Sequence, residues 1–361
     1  MSKRILHIVN YMDRGGLETL IMNIYRKIDR EKMQFDFIVH RDFRADYDDE
    51  IEALGGKIFR LPRLNPFSPG YKKALLNFFQ SHPEYRVVHC HLDCMSALPL
   101  AAAKACGVPM RIAHSHNSNQ DRNWKYPLKR LFMRKIPGAA THFFACSEEA
   151  GAWMFPGQAF TVINNGIETD RFAYDPAVRA DVRNELMLGD RLALGHVGRF
   201  APQKNHEFLI DIFAAVHDRD PQARLVLVGT GPLEEQIHQK VSLLGLDEAV
   251  QFLGVRSDVE RILQAVDAFL MPSLYEGLGM AAVEAQVAGL PCVVSDKVPR
   301  MCDMSGCVSF LSLDMSPDEW AEQILAASRL PRSSQKEKIA AAGFDIQTTA
   351  EWLNNFYMKM W

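Results

Sequence analysis

Two glutamates flank a glycine-rich turn in the second half of this 361-residue chain. Seven residues separate Glu276 from Glu284, and between them the chain forms a turn and a predicted helix start at Gly277, Leu278, Gly279 and Met280. Backbone N–H groups at a helix start are unpaired and lie at the positive end of the helix dipole, so they favour a phosphate. Glu276 could accept hydrogen bonds from sugar hydroxyls, and Glu284, about two turns into the helix, from a ribose diol. The plainer alternative is a helix-start carboxylate followed by a solvated one.

A pair of cations, Arg199 and Lys204, follows another strand-like segment of the same half. Ligands of open parallel sheets bind at the C-terminal ends of the strands, so both cations are expected at the edge that carries the glutamates. A leaving nucleotide diphosphate gains negative charge, which a positioned Arg and Lys can stabilise without a metal. The alternative is a pair of solvated surface cations.

Two groups of residues in the first half are candidates for the same ligand. Gly15 and Gly16 precede a predicted helix and would let the chain turn beneath a phosphate. Their spacing is not the G-x-G-x-x-G dinucleotide fingerprint, which argues against an NAD-dependent dehydrogenase. Histidines 91, 114 and 116 stand at the ends of two predicted strands. Such a histidine could serve a reacting sugar, or it could simply bond to a neighbouring loop.

Two short segments contain possible metal ligands, and we predict no metal site at either. His89 and His91 could bind a metal with Cys90 and Cys94, but alternation along a strand points the histidines away from Cys90. Residues 46–48 read Asp-Tyr-Asp, which matches an Asp-x-Asp metal signature. They lie in a charged run on a predicted helix, where a solvated face is the preferred interpretation. The seven scattered cysteines predict no disulfide framework.

Short β-rich runs alternate with amphipathic stretches along the chain, which predicts two doubly wound α/β domains. The first series of predicted strands covers residues 4–9, 35–40, 57–61, 86–91, 110–113 and 142–146. The second covers residues 192–197, 224–228, 250–253, 268–271 and 291–294. We place one domain at 1–170 and the other at 190–345, with a charged linker over 168–191. A final helix, about 346–361, could pack back on the first domain.

Bulk composition excludes several classes of protein. The chain is 48% hydrophobic and 24% charged, as expected of a globular protein, and its formal net charge of -3 argues against nucleic-acid binding. No run approaches the roughly 18 apolar residues of a membrane span. The first residues lead directly into a predicted strand without a signal-peptide pattern. These features predict a cytoplasmic protein.

Taken together, the motifs resemble the family 4 retaining glycosyltransferases of the GT-B fold, in which two Rossmann-like doubly wound domains face each other across a cleft. The resemblance is to members that build bacterial capsular and extracellular polysaccharides. It covers essentially the whole chain. The residues that carry it are the glutamate pair Glu276 and Glu284, the cations Arg199 and Lys204, and the glycine motifs Gly15-Gly16 and Asn165-Gly166.

The resemblance implies a role for each motif residue. Glu276 would contact the donor sugar, Glu284 the ribose, Arg199 and Lys204 the diphosphate, and Gly16 the donor phosphates from across the cleft. His116 matches a family histidine beside the donor sugar. The base would lie near residues 229–231 and near Val255 and Arg256. The first domain would bind the acceptor and the second the donor.

The implied reaction moves a hexose or N-acetylhexosamine from a UDP-sugar to a glycan or polyprenyl-linked acceptor, by a front-face route without a covalent nucleophile, cofactor or metal. A non-catalytic partner that binds nucleotide sugars and a nucleotide-sugar epimerase remain alternatives. The segment 122–135 has six basic residues among aromatic and aliphatic ones, so it could lie on anionic lipid or be an ordinary domain helix. Residues 295–300, Ser-Asp-Lys-Val-Pro-Arg, replace a Gly-Gly loop with an acid found in many members, which bears on donor and acceptor selection.

Overall fold

The computed structural model describes residues 2–116 and 126–361. These residues form two compact units. The first contains the chain up to Ile167 together with Gly343–Trp361, and the second contains Glu168–Ala342. Among the described residues, the first unit has a seven-stranded sheet and the second a six-stranded sheet. The predicted α/β class with two doubly wound domains is confirmed.

Strands and helices alternate through the first unit. Its strands are β1 (Lys3–Ile8), β2 (Met33–Val39), β3 (Ile58–Arg60), β4 (Val87–Cys90), β5 (Met110–Ser115), β6 (His142–Ala145) and β7 (Thr161–Val162). Its helices up to β7 are α1 (Gly16–Lys27), α2 (Asp48–Ala53), α3 (Pro69–Ser81), α4 (Ala97–Ala105), α5 (Tyr126–Met133), α6 (Ile136–Ala139) and α7 (Glu148–Met154). Helix α5 is the described part of the basic segment, whose residues 122–125 lie outside the described ranges.

The first sheet is parallel, with the strand order β3-β2-β1-β4-β5-β6-β7. Alternate side chains of β1 enter different cores. Ile5 packs in the cluster that contains Leu20 of α1, whereas Leu6 packs in the cluster that contains Leu75 of α3 and Leu100 of α4. Both faces are therefore covered by helices, which is why these strands are almost continuously apolar. The strand order reverses between β1 and β4, where open α/β sheets bind ligands.

The second unit repeats this plan. Its strands are β8 (Ala193–Val197), β9 (Arg224–Val228), β10 (Val250–Phe252), β11 (Ala268–Met271), β12 (Cys292–Ser295) and β13 (Val308–Leu311). Its helices are α8 (Thr169–Phe172), α9 (Pro176–Glu185), α10 (His206–Arg219), α11 (Glu234–Leu243), α12 (Val259–Ala265), α13 (Met280–Val287), α14 (Pro317–Ala327) and α15 (Lys336–Ile339). The strand order is β10-β9-β8-β11-β12-β13, so the reversal lies between β8 and β11.

Two features of the second unit differ from the sequence analysis. Strand β13 was not predicted, because this edge strand is only partly buried and carries a weak apolar signal. The segment assigned to a linker forms helices α8 and α9. Its charges belong to the fold: Arg179 Nη2 lies 2.5 Å from Asp267 Oδ1, and Arg183 Nη1 donates to Ala265 O at 2.7 Å. These contacts attach α9 to the start of β11.

The chain ends with helix α16 (Ile346–Met358), which belongs to the first unit. Asp345 caps it by accepting from Thr348 N at 3.0 Å. Leu353 and Tyr357 are buried in the same cluster as Ile5, and α16 packs against α1. The last helix therefore completes one face of the first sheet.

Candidate active site

The loops that follow β8 and β11 lie side by side, because these two strands are neighbours at the point where the order reverses. Leu274 N donates to Gln203 O at 2.8 Å, and Asn205 Nδ2 donates to Pro272 O at 3.2 Å. Asn205 has a left-handed backbone, with φ of +54°, which asparagine adopts more readily than most residues. These two contacts hold the loop that carries Lys204 against the loop that carries Glu276.

The carboxylate of Glu276 is held by two side chains of the β8 loop. Lys204 Nζ lies 2.6 Å from Glu276 Oε1, and Gln203 Nε2 donates to Glu276 Oε2 at 3.3 Å and to Tyr275 O at 2.9 Å. Only 7% of the Glu276 side chain and 18% of the Lys204 side chain are exposed. These two residues are therefore not solvated surface charges. Arg199 of the same loop is exposed to solvent.

Helix α13 begins immediately after Gly279, which has a left-handed backbone with φ of +85°. A Cβ at Gly279 would lie 2.9 Å from Met271 Cε, whereas one at Gly277 would meet no described atom within 4 Å. The turn therefore needs glycine at residue 279 and leaves open space at residue 277. Because α13 begins only at Met280, Glu284 lies little more than one turn into the helix, not the two turns predicted.

Glu284 is partly exposed, yet its carboxylate is poorly solvated. Burial raises the pKa of Glu284, the negative charge of Glu260 adds to the rise and Arg171 opposes it, and together they bring the pKa to about 7. Arg171 also has other partners, since its Nη2 lies 2.8 Å from Glu260 Oε1 and donates to Ser257 O at 2.9 Å. Glu284 thus exchanges its proton near neutral pH, and its ionised form can accept hydrogen bonds from a diol.

The loop after β9 approaches the β8 loop more closely than a side chain would permit. Gly229 has φ of +129°, and a Cβ there would overlap Gly198 O. A Cβ on Gly231 would overlap the backbone of Phe200. Glycine at residues 229 and 231 therefore lets two strand ends of the second sheet pack backbone to backbone.

The residues expected near the base follow β10, whose end is joined to the β9 loop by Gly229 N donating to Gly254 O at 2.8 Å. Val255 is 65% exposed. Arg256 forms a bidentate pair with Asp258, both distances being 2.8 Å, and Glu185 lies 3.3 Å from its Nη2. Because its guanidinium is engaged by carboxylates, Arg256 offers a ligand its backbone more readily than its side chain.

In the first unit, the loop after β1 carries the paired glycines. Helix α1 begins at Gly16, and Gly15 is its N-cap with an extended backbone. A Cβ on Gly15 would collide with the carboxylate of Glu18, whereas Gly16 is exposed and has no described atom within 4 Å of a Cβ position. The exposed start of a twelve-residue helix offers N–H groups that favour an anion.

The strand ends of the first unit bring five histidines together in a column. His7 Nδ1 lies 3.1 Å from His91 Nε2, and His91 Nδ1 lies 2.9 Å from His116 Nε2. A second pair runs beside this chain, with 3.1 Å between His89 Nε2 and His114 Nδ1. Four of the five rings are buried and the fifth, His116, is half-buried. The histidines at the ends of two predicted strands therefore form one cluster, which His7 of β1 joins.

The column is uncharged at neutral pH. Burial lowers the pKa of all five imidazoles, to about 3 for His7 and His116. At its inner end, Tyr357 OH of α16 lies 2.6 Å from His89 Nδ1. Two buried ring nitrogens of the column, Nε2 of His7 and Nε2 of His114, have no hydrogen-bond partner among the described residues.

The other metal candidates have different surroundings. Cys90 and Cys94 pack in the core on the opposite face of the sheet, so they do not join the histidines, and all seven cysteines are free. Asp48 was predicted to be solvated, which is wrong. It is 1% exposed and pairs with Arg60 at 2.5 Å, because α2 turns it towards β3. Asp46 is exposed.

Comparison with known proteins agrees with this geometry. Residues 14–171 match the model of Glycosyltransferase Family 4, and residues 191–329 match that of Glycosyl transferases group 1. The chain is 38% identical over 371 aligned positions to EpsF of Bacillus subtilis (strain 168), named as a glycosyltransferase, with 99% of this chain and 96% of EpsF covered. The chain belongs to the family 4 glycosyltransferases.

Two further comparisons extend along the whole of this family 4 glycosyltransferase. It is 24% identical to the capsular polysaccharide biosynthesis glycosyltransferase CapH of Staphylococcus aureus, over 99% of both chains. The solved structure of Anabaena Alr3699/HepE in complex with UDP superimposes with a TM-score of 0.81 at 20% identity, over 99% of this chain and 100% of that one. The predicted GT-B fold is confirmed.

Some residues of this candidate site were not predicted from the sequence. Gln203 and Asn205 clamp the β11 loop, but a polar residue in a loop has no spacing that indicates such a contact. Glu260 and Arg171, whose charges act on Glu284, were likewise missed because they come from other helices. None of the helices in the described ranges has the length and apolar character that crossing a lipid bilayer requires.

Proposed function

We propose that this glycosyltransferase moves a hexose or N-acetylhexosamine from a UDP-sugar to a glycan or polyprenyl-linked acceptor in surface polysaccharide assembly, with retention of anomeric configuration. The single observation that carries the proposal is the clamped Glu276–Lys204 pair, 2.6 Å apart at the sheet reversal. The UDP bound by HepE supports the choice of nucleotide, and the printed name of CapH supports the polysaccharide role.

The donor would lie over the strand ends of the second unit. Glu276 accepts hydrogen bonds from sugar hydroxyls, and ionised Glu284 accepts them from the ribose diol. The start of α13 meets the diphosphate, together with Lys204 and the exposed Arg199. These cations stabilise the charge that develops on the leaving diphosphate, so we propose that transfer needs no metal there.

Retention would follow from a front-face reaction, in which the leaving phosphate assists deprotonation of the acceptor hydroxyl. The protein then contributes position and charge stabilisation, not a covalent nucleophile. As the family resemblance implies, His116 would serve the donor sugar and Gly16 the donor phosphates. Burial lowers the pKa of His116 to about 3, so its imidazole is neutral at pH 7. A neutral imidazole can donate one hydrogen bond to the sugar or accept one from it.

The acceptor would bind to the first unit. Helix α5 carries Lys129 and Arg130, while Phe132 and Met133 are buried in the core. One side of the helix thus packs inwards and leaves basic residues outside. We propose that the basic outer side of α5 lies on anionic lipid, where a polyprenyl-linked acceptor would be held.

The experiment is a transfer assay with purified protein, a panel of UDP-sugars and lipid-linked acceptors, in the presence and absence of EDTA. NMR of the product would give the anomeric configuration. We expect UDP release coupled to an α-linked product from an α-linked donor, unaffected by EDTA. Glu276→Gln should reduce turnover by at least ~100-fold, whereas the exposed Glu322→Gln on α14 should retain it.

Each alternative has its own signature in the same assay. An epimerase would convert the UDP-sugar without an acceptor, and a non-catalytic partner would bind the nucleotide without product. An inverted product would overturn retention, and EDTA inhibition would overturn the metal-free mechanism. Full activity of Glu276→Gln would overturn the assignment of the site.

A further inference from the structure

Three histidines at the ends of β4 and β5 are arranged like the ligands of a transition-metal site. His91, His114 and His116 each offer one ring nitrogen, and the three nitrogens lie within 4.8 Å of one another. The pair formed by His91 Nδ1 and His116 Nε2 is already 2.9 Å apart. Tetrahedral zinc with Zn–N bonds of about 2.0–2.1 Å holds ligand nitrogens roughly 3.3 Å apart. Small ring rotations would therefore produce the geometry of a zinc site.

His114 provides an independent observation. The residue is only 3% exposed, and its Nε2 has no hydrogen-bond partner in the described ranges. The other ring nitrogen, Nδ1, is 3.1 Å from His89 Nε2. A buried polar atom without a partner is costly, and the nitrogen of a neutral imidazole is the commonest metal ligand in proteins. The unpaired nitrogen belongs to the same three residues that the distances select.

His89, Tyr357 and His7 are placed to hydrogen-bond the three ligands or one another from behind. A metal bound to His114 Nε2 requires the proton on Nδ1, which would then be donated to His89 Nε2 at 3.1 Å. His89 in turn would donate its Nδ1 proton to Tyr357 OH at 2.6 Å. His91 would likewise donate from Nε2 to His7 Nδ1 at 3.1 Å. Metal-bound histidines commonly have such partners, because these fix the tautomer and the ring orientation.

We propose that His91, His114 and His116 bind a single zinc ion, with a fourth position open to water or an anionic ligand beside His116. Three nitrogen ligands favour zinc over magnesium or calcium, which prefer oxygen. His7, His89 and His91 also bring ring nitrogens within 4.8 Å, but all three are buried. The set that contains the half-buried His116 has access to solvent, which a metal needs to enter.

The test measures zinc binding to the full chain without a histidine tag, after removal of metals by chelation. Zn²⁺ would be titrated against a chromophoric chelator, and Co²⁺ would report geometry through its visible spectrum. We expect one zinc per chain and a tetrahedral Co²⁺ spectrum. His114→Gln and His116→Gln should each weaken binding by at least ~10-fold. His142→Gln is the matched control, since His142 is half-buried in the same unit outside the column.

Native-like affinity in His116→Gln would overturn the proposal, as would equal loss in His142→Gln or the absence of stoichiometric binding. Thermal unfolding of the metal-free variants checks their folding. If buried His114→Gln fails to fold, the half-buried His116→Gln decides the question alone.

A second readout rests on the proposed function. Because His116 is also proposed to contact the donor sugar, zinc added to the metal-free protein is expected to inhibit transfer, and EDTA is expected to restore the rate measured without added zinc. Absence of zinc binding would overturn the metal site and leave the transfer proposal standing. Absence of transfer from any UDP-sugar would overturn the proposed function and leave the binding result unchanged.

Discussion

Lys204 Nζ and Glu276 Oε1 lie 2.6 Å apart, joining the loops after two strands that are neighbours in the second sheet but 72 positions apart in sequence. The pair is mostly shielded from solvent. Lys204 neutralises the Glu276 carboxylate in the donor-free protein, and an arriving diphosphate would give Lys204 a second anionic partner. Truncating one partner of a shielded pair leaves the other charge uncompensated, so the two residues should behave as a unit.

Lys204→Met should lower kcat/KM by roughly 100-fold, because it removes one of the two cations proposed to stabilise the leaving diphosphate. It should also weaken UDP binding. The measurements are steady-state kinetics and calorimetry, with Lys240→Met as control. Lys240 also forms an ion pair, with Asp211 at 2.6 Å, on helices α10 and α11. Equal losses in both variants would indicate a general effect of charge and contradict the assignment.

Two glycines of the turn before α13, Gly277 and Gly279, should respond differently to alanine. Gly279→Ala forces a side chain into a left-handed backbone and against Met271, so we expect a loss of about 1–3 kcal/mol in the free energy of unfolding. Gly277→Ala has open space and should leave stability unchanged. Urea unfolding of the ligand-free proteins measures both. Equal stabilities would show that the turn does not require glycine at residue 279.

Glu284 should make stability depend on pH in a defined window. Its pKa rises from an ordinary 4.5 to about 7 on folding. Between these values the folded protein holds a proton that the unfolded chain has released, so the free energy of unfolding falls as pH rises from about 4.5 to 7 and is constant above. Glutamine cannot ionise and removes this contribution.

We therefore expect native protein to lose stability relative to Glu284→Gln as the pH is raised from 5 to 8. Melting temperatures of both proteins across this range, without ligand, measure the effect. Glu322→Gln should follow the native curve. Parallel curves for native protein and Glu284→Gln would show that burial does not perturb this carboxylate.

Tyr357→Phe tests the attachment of the last helix. The variant removes the hydroxyl that lies 2.6 Å from His89 Nδ1 and leaves a buried nitrogen without this partner. We expect a loss of about 1–3 kcal/mol, measured by urea unfolding. Tyr275→Phe, at a tyrosine that is 62% exposed, should be neutral. No change in Tyr357→Phe would mean that the hydrogen bond contributes no net stability.

Most of the fold and many of the site residues were accessible from local patterns. The strands of the two series were predicted within a few residues, because burial on both faces makes their apolar runs continuous. The half-buried edge strand β13 was missed for the opposite reason. Charge in the 168–191 segment indicated a linker, yet Arg179 and Arg183 are bonded within the fold, since charge alone does not distinguish a solvated arginine from a paired one.

The sequence by itself determined the α/β alternation and the turn between Glu276 and Glu284, because side-chain periodicity and glycine act over a few neighbouring residues. Only the tertiary structure decided that Lys204 reaches Glu276, that Glu284 titrates near neutral pH, and that five histidines form one column. These properties depend on strand order and burial, which are set by contacts between residues far apart in the chain. The long-range contacts determine the distance between charges and the water around them, and hence their chemistry.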